Sequence, residues 1–191
     1  MERLVAGDEE AFVCLYRRWR PALHRFALGM TGCPATADDV VQDTFMVLMR
    51  EGARYDASRG AVSSYLRGIA RHLVHRRLRR ESRVVELPDG HVDGRADDSA
   101  ANPGPADLLL RKDEVRRVHA ALLSVTPKLR EVLVLCELQG VTYAEAAEAL
   151  EVPIGTVRSR LFRAREALAG RLKEDAAPSP AWKRVLARLS P

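Results

Sequence analysis

The stretch "TYAEAAEALEVPIGTVRSRLFRAREAL", Thr142 to Leu168, decides the fold. Thr142 and Glu145 stand three apart ahead of an alanine-rich run. In that capping-box pattern hydroxyl and carboxylate each satisfy the other's backbone amide, which predicts a short helix through Leu150. Glu151-Val152-Pro153 interrupts it, because proline has no amide proton and disfavours helical geometry in the residue before it. A longer helix follows. At about 100° per residue, Val157, Leu161, Ala164, Leu168 and Leu172 fall on one apolar stripe. Two helices joined by so tight a turn have a helix-turn-helix shape.

The other side of the second helix carries Ser159, Phe162, Arg163 and Glu166, with Arg158 and Arg165 on one flank and Arg160 on the other. A solvated helix face usually mixes both signs of charge, whereas this one is mostly cationic and points Phe162 outward. A helix lying in a DNA major groove would use both features. Arginines pair with phosphates or with guanine, and an apolar ring packs on a thymine methyl. Ser159 is short enough to allow close approach. These features favour DNA recognition over a merely solvated face. Arg160 and Arg165, on the flanks, suit phosphate contact or intramolecular pairing better than base contact.

Upstream, Thr126-Pro127 reads as a cap followed by proline at the first helical position, opening a helix that stops at Gly140. A further helix starts near Asp107, with Leu108, Val115, Val118 and Leu122 on one side. Before it lies "LPDGHVDGRADDSAANPGP", rich in proline, glycine and aspartate and without periodicity. That composition predicts a flexible acidic linker over 84–106. The N-terminal part reads as three helices. Asp8 caps the first, in which Phe12, Leu15, Tyr16, Trp19, Leu23, Phe26 and Met30 recur at helical spacing, with Pro21 as a kink or a division. The second runs over about 35–51 and the third over about 61–80, joined by "GARYDASRG". The expected fold is all-α, with helical domains at 1–83 and 107–173. Over 174–191 a tail follows, in which Ser179-Pro180 can start a short amphipathic helix bearing Trp182, Val185, Leu186 and Leu189.

Composition agrees. Aromatics make up only 5% of the 191 residues, and the net charge of +5 suits a polyanionic partner where it clusters. Cys14, Cys33 and Cys136 share no metal or redox spacing and read as reduced, mostly core residues. No apolar run approaches the roughly 18–20 residues of a membrane span, which points to a cytoplasmic protein without membrane contact. Clustered carboxylates, metal-ligand spacing and phosphate-cradling glycine loops are all missing, so no catalytic site, metal or cofactor is expected.

The two remaining helices of the first module carry opposite chemistry. In the second, Ala37, Val41, Phe45 and Leu48 form the core stripe, leaving Asp39, Asp43, Met46 and Arg50 outward with Gln42 at the edge. An acidic stripe is repelled by phosphates. It suits either solvent or a basic protein surface. In the third, Leu66, Ile69, Ala70 and Leu73 pack inward, leaving Arg67, Arg71, His75 and Arg79 as a cationic track for nucleic acid. The preceding loop adds Tyr55, Arg59, Gly60 and Tyr65, a mixture able to hold an unstacked base, although each tyrosine also suits ordinary packing.

Taken in order, these segments resemble the extracytoplasmic-function (ECF) sigma factors, small two-domain bacterial transcription initiation factors, from about Gly7 to Leu172. "GDEEAFVCLYRRWRPALHRFA" is similar to the start of their region 2, "ADDVVQDTF" to their polymerase-binding helix and "SSYLRGIARHLVHRRLRR" to their −10 segment. "REVLVLCELQGVTYAEAAEALEVPIGTVRSRLFRAREAL" resembles region 4, which reads the −35 element. The resemblance implies a sigma factor that directs RNA polymerase core to promoters by −35 binding and −10 strand opening. It would work as a monomer outside the holoenzyme and commonly be sequestered by an anti-sigma factor. Asp39, Gln42, Asp43 and Met46 would meet the β′ clamp helices, with the β subunit as a further polymerase contact. Tyr55, Asp56, Ser58 and Arg59 would capture a flipped −10 base, and Arg67, Arg71, His75 and Arg79 would follow the melted strand. Thr156, Arg158, Ser159, Phe162 and Arg163 would contact −35 DNA, and the acidic linker would lie in the polymerase channel. The family often has tryptophan at the positions of Met49 and Tyr65; the first exchange is expected to touch packing alone. The alternative function is a free-standing helix-turn-helix repressor or activator, which would need a dimer surface and would have no use for the acidic stripe.

Overall fold

The computed structural model describes residues 1–84 and 105–174, leaving aside the side chains of Glu2, Val5, Arg59 and Glu174 and those of 82–84 and 105–114. Residues 85–104, most of the expected linker, and 175–191, nearly all of the tail, lie outside the described residues.

A four-residue helix, α1 (Glu2–Val5), precedes α2 (Glu9–Thr31). Asp8 caps α2, its carboxylate accepting from the Ala11 amide at 3.0 Å. Pro21 is absorbed inside one continuous helix rather than dividing it. Gly32 ends α2 in the left-handed conformation, at φ 76°, donating its amide to the Leu28 carbonyl. Pro34 then occupies the first turn of α3 (Pro34–Glu51). The "GARYDASRG" loop forms two short 3₁₀ turns, Gly52–Arg54 and Ala57–Arg59, before α4 (Val62–Val84). Leu23, Phe26 and Met30 of α2, Val40, Val41, Phe45 and Leu48 of α3, and Leu66, Ala70 and Leu73 of α4 close the first core. The α4 helix runs on through Val84, so the linker begins one residue later than expected.

The second module begins with α5 (Pro105–Ser124), which takes in the last residues of the expected linker. Val118, Ala121 and Leu122 of α5 pack inward, but Val115 is exposed, contrary to its place in the expected stripe. Only the C-terminal part of the described face meets other helices. The helix α6 (Pro127–Val132) widens into a π-helical turn at Leu133–Leu138, where the Gln139 amide donates to the Val134 carbonyl, five residues back, at 3.1 Å. In α7 (Tyr143–Leu150) the capping box forms as read. The Thr142 hydroxyl accepts from the Glu145 amide, and the Glu145 carboxylate accepts from the Thr142 amide at 3.0 Å. Glu151 closes α7 in the left-handed region and leads to α8 (Ile154–Glu174), whose stripe Val157, Leu161, Ala164, Leu168 and Leu172 is buried throughout.

The cores of the two modules are continuous. Gly29 makes this possible on α2, because a β-carbon there would lie 2.9 Å from the Val134 side chain. Arg130, nearly buried in α6, donates to the Met30 carbonyl at the end of α2, while Gln139 donates to the Ala22 carbonyl at 3.1 Å. All three cysteines are free, but none is fully buried and Cys14 is exposed, against the expectation of core positions. The outer side of α2, where Cys14 sits, faces no other helix.

Candidate nucleic-acid and polymerase interfaces

The outward residues of α8 sit as the periodicity predicts. Arg158, Ser159 and Arg163 are exposed, Phe162 is 61% exposed, and Thr156 is half-buried beside the turn. The Ser159 hydroxyl turns back to the Thr156 carbonyl at 3.1 Å, which keeps it close to the helix and the surface low. The flanking arginines are engaged within the fold. Arg160 donates to Glu131 at 3.3 Å, and Arg165 donates through Nε to Glu137 at 3.1 Å. That hydrogen bond, working against burial, raises the Arg165 pKa above the ordinary arginine value. The four arginines of the helix therefore divide into two that reach outward and two that brace it.

On α3, Asp39, Gln42, Asp43 and Met46 share one face, with Met46 at 48% exposure. Arg77 of α4 bridges the two carboxylates, at 3.0 Å from Asp39 and 2.8 Å from Asp43. Burial disfavours the Arg77 charge, but the paired carboxylates outweigh it and raise its pKa. Both acids remain substantially accessible. Met49 is 63% exposed and continues this face beside Met46, so its exchange concerns a surface and not packing alone. A groove of about 290 Å³ runs along this edge, lined by Phe12, Tyr16, Gln42, Phe45, Met46 and Met49.

The cationic track on α4 is arranged differently from the expectation of an outward, open face. Arg79 alone of its four residues is exposed. Arg71 donates through Nε to Glu131 at 3.0 Å, and His75 Nε2 lies 2.7 Å from the same carboxylate oxygen. Glu131, on α6, is fully buried. Burial alone would raise its pKa, but the hydrogen bond from His75 and the charge of Arg71 hold the carboxyl below its ordinary value. Arg67 lies over the Trp19 ring at 5.3 Å, and its Nε and one Nη are buried without a hydrogen-bond partner. Desolvation lowers its pKa.

The loop before α4 is also internally satisfied. The Tyr55 hydroxyl donates to the Gly60 carbonyl at 2.9 Å, and Tyr55 and Tyr65 pack with ring centroids 5.3 Å apart. Asp56 accepts from both the amide and the hydroxyl of Ser58. The side chain of Arg59 lies outside the described residues. Glu148 of α7 reaches this loop, accepting from the Ala61 amide at 2.9 Å and the Ser64 hydroxyl at 2.7 Å. Gly60, at φ 149°, leaves room for that carboxylate, where a β-carbon would collide with it. Sequence reasoning missed Glu131, Glu148, Trp19 and Arg77. A signal existed for Glu131, a lone carboxylate on the apolar side of "EVLVL", where a charge needs buried partners.

An acidic face, a basic single-strand track and a helix-turn-helix together define a sigma-type promoter-recognition factor. The sequence family Sigma-70 region 2 matches residues 15–84, and Sigma-70, region 4 matches residues 116–168. The chain is 35% identical over 167 residues to the ECF RNA polymerase sigma factor SigM of Mycobacterium tuberculosis, covering 86% of this chain and 79% of that one. It is 32% identical over 179 residues to the ECF RNA polymerase sigma-E factor of Escherichia coli, covering 88% and 90%. Among solved structures, the sigma factor RpoE in complex with the anti-sigma factor NepR from Bartonella quintana superposes with a TM-score of 0.65 at 28% identity, covering 88% of this chain and 99% of that chain. The chain belongs to the ECF RNA polymerase sigma factors. Its function is promoter-specific transcription initiation with RNA polymerase, which displaces the free-standing repressor or activator as the alternative. The family is regulatory and non-catalytic. No described helix is long and apolar enough to cross a membrane, and the described residues contain no cluster suited to a metal ion.

Proposed function

We propose the following division of labour for this chain. Residues 1–83 form region 2 and residues 107–173 form region 4, with the acidic segment between them passing through the polymerase. Asp39, Gln42, Asp43 and Met46 on α3 meet the basic β′ clamp helices, with the β subunit as a further contact. Tyr55, Asp56, Ser58 and Arg59 hold a flipped −10 base, and Arg67, Arg71, His75 and Arg79 follow the melted strand. Unstacking costs a few kcal/mol per step, and base capture with cationic contacts offsets it. Thr156, Arg158, Ser159, Phe162 and Arg163 read −35 DNA. The chain acts in the cytoplasm as a monomer outside the holoenzyme, has no enzymatic activity of its own, and is held in reserve by an anti-sigma factor, as the complex of its structural relative suggests.

The exposed face of α8 carries this reading. Phe162 at 61% exposure beside Arg158 and Arg163 has no role in holding the helix down, since the buried stripe does that alone. Run-off transcription with purified core polymerase on a genomic promoter library tests it, and absence of any promoter-specific initiation would overturn it. Within that assay, Asp39→Arg with Asp43→Arg is expected to abolish polymerase binding while leaving helicity unchanged by circular dichroism. Retained binding would remove α3 from the polymerase interface.

A further inference from the structure

The residues proposed for the −10 strand are held by acids of the other module. Glu131 is fully buried and gathers Arg71, His75 and Arg160, drawn from α4 and α8. Glu148 spans the same junction to the start of α4, at Ala61 and Ser64. Carboxylate and phosphate oxygens are the same kind of acceptor for arginine and for histidine. The Arg71 Nε donor has one hydrogen to give, so Glu131 and a phosphate cannot both use it. The backbone is closed off as well, since a β-carbon on Gly68 of α4 would lie 3.7 Å from the Ala149 carbonyl of α7.

We propose that the free chain is self-inhibited: Glu131 and Glu148 of the second module sit on α4 as surrogates for DNA phosphate, and the strand track opens only when the modules separate. This rests on the assignment of α4 to the melted strand. The latch is selective. Arg158 and Arg163 on α8 stay exposed, so the closed chain masks its single-strand reader and leaves its duplex reader in view. Polar and apolar contacts act together. Arg130 on Met30, Gln139 on Ala22 and Val134 against Gly29 add to the carboxylates in keeping the modules together. A strand that supplies phosphates to Arg71 and His75 replaces the ionic contacts but not the apolar ones. Opening therefore needs a further source of binding energy, which core polymerase can provide by engaging both modules.

The test uses the full chain and two variants. Glu148→Ala removes an exposed carboxylate and leaves no buried charge unpaired; Glu131→Gln removes the buried hub charge. Radius of gyration by small-angle X-ray scattering and affinity for a fluorescent mixed-sequence single-stranded DNA are read without polymerase. Both variants are expected to expand, and Glu131→Gln to gain about tenfold in strand affinity as the competent population rises, with a smaller gain for Glu148→Ala. If Glu131→Gln proves unfolded by circular dichroism, Glu148→Ala decides. Folded variants with wild-type dimensions and strand affinity would overturn the latch, as would a wild-type chain that already binds the strand as tightly as they do. Expansion without a gain in strand affinity would support the latch and overturn the assignment of α4 instead.

Discussion

The outer faces of α8 and α4 are written in the same way and end in opposite environments. Each helix has a buried apolar stripe, and each sets basic residues on the other side. On α8 that other side reaches solvent, with Arg158, Phe162 and Arg163 exposed. On α4 it is covered, with Arg67 against Trp19 and Arg71 and His75 on Glu131. The difference teaches what periodicity contains. It tells which side of a helix turns away from its own module's core, and nothing about whether a second module lies over that side.

The contrast can be broken from either helix. Leu161 and Phe162 are neighbours in sequence on opposite sides of α8. Leu161→Ala leaves a cavity under the helix and should cost about 2–5 kcal/mol in chemical denaturation. A cost below about 1 kcal/mol would mean that the buried stripe does not anchor α8.

Acid should act on the α4 side next. The folded-state pKa of Glu131 is depressed by His75 and Arg71, with Arg160 also facing it. Its contribution to stability is therefore complete above the unfolded value and lost as the pH falls through the lower folded value. Thermal midpoints of wild type and Glu131→Gln should converge as the pH drops below about 4.3, the ordinary glutamate value. A gap that stays constant on acidification would contradict an ionised Glu131.

Smaller effects sharpen the frame around α8. Thr142→Ala removes the cap of α7 and is expected to cost about 1 kcal/mol. An unchanged midpoint would show the turn before α8 to be held by packing alone. Phe162→Ala should change stability least, by no more than about 0.5 kcal/mol, as for a surface side chain. A larger loss would place its ring in the fold and withdraw it from DNA.

Most of the architecture was legible because it rests on local rules. The capping box at Thr142, the proline after Thr126, the aspartate cap at Asp8 and the helix stripes each act within a few residues, and each appears where it was read. The division of the α8 arginines was also legible, since Arg160 and Arg165 flank the stripe and found acids inside the fold. What escaped depended on distant pairings. Glu131 meets Arg71 across sixty positions and Glu148 meets Ser64 across eighty-four. No helical period reports contacts of that separation. Val115 and Met49 were misplaced for the same reason, because a helix face is buried only where a neighbour exists to cover it.

The most direct test of the central claim, that the outer face of α8 is the −35 reader, is selection of promoters from a randomised duplex library by reconstituted holoenzyme. Wild type and Arg163→Ala are compared position by position. A bidentate arginine contact discriminates between bases by about 1–3 kcal/mol. The variant is therefore expected to lose preference at one or two −35 positions while the −10 preference and polymerase affinity stay unchanged. Preference that is unaltered at −35, or lost at −10 instead, would contradict the account.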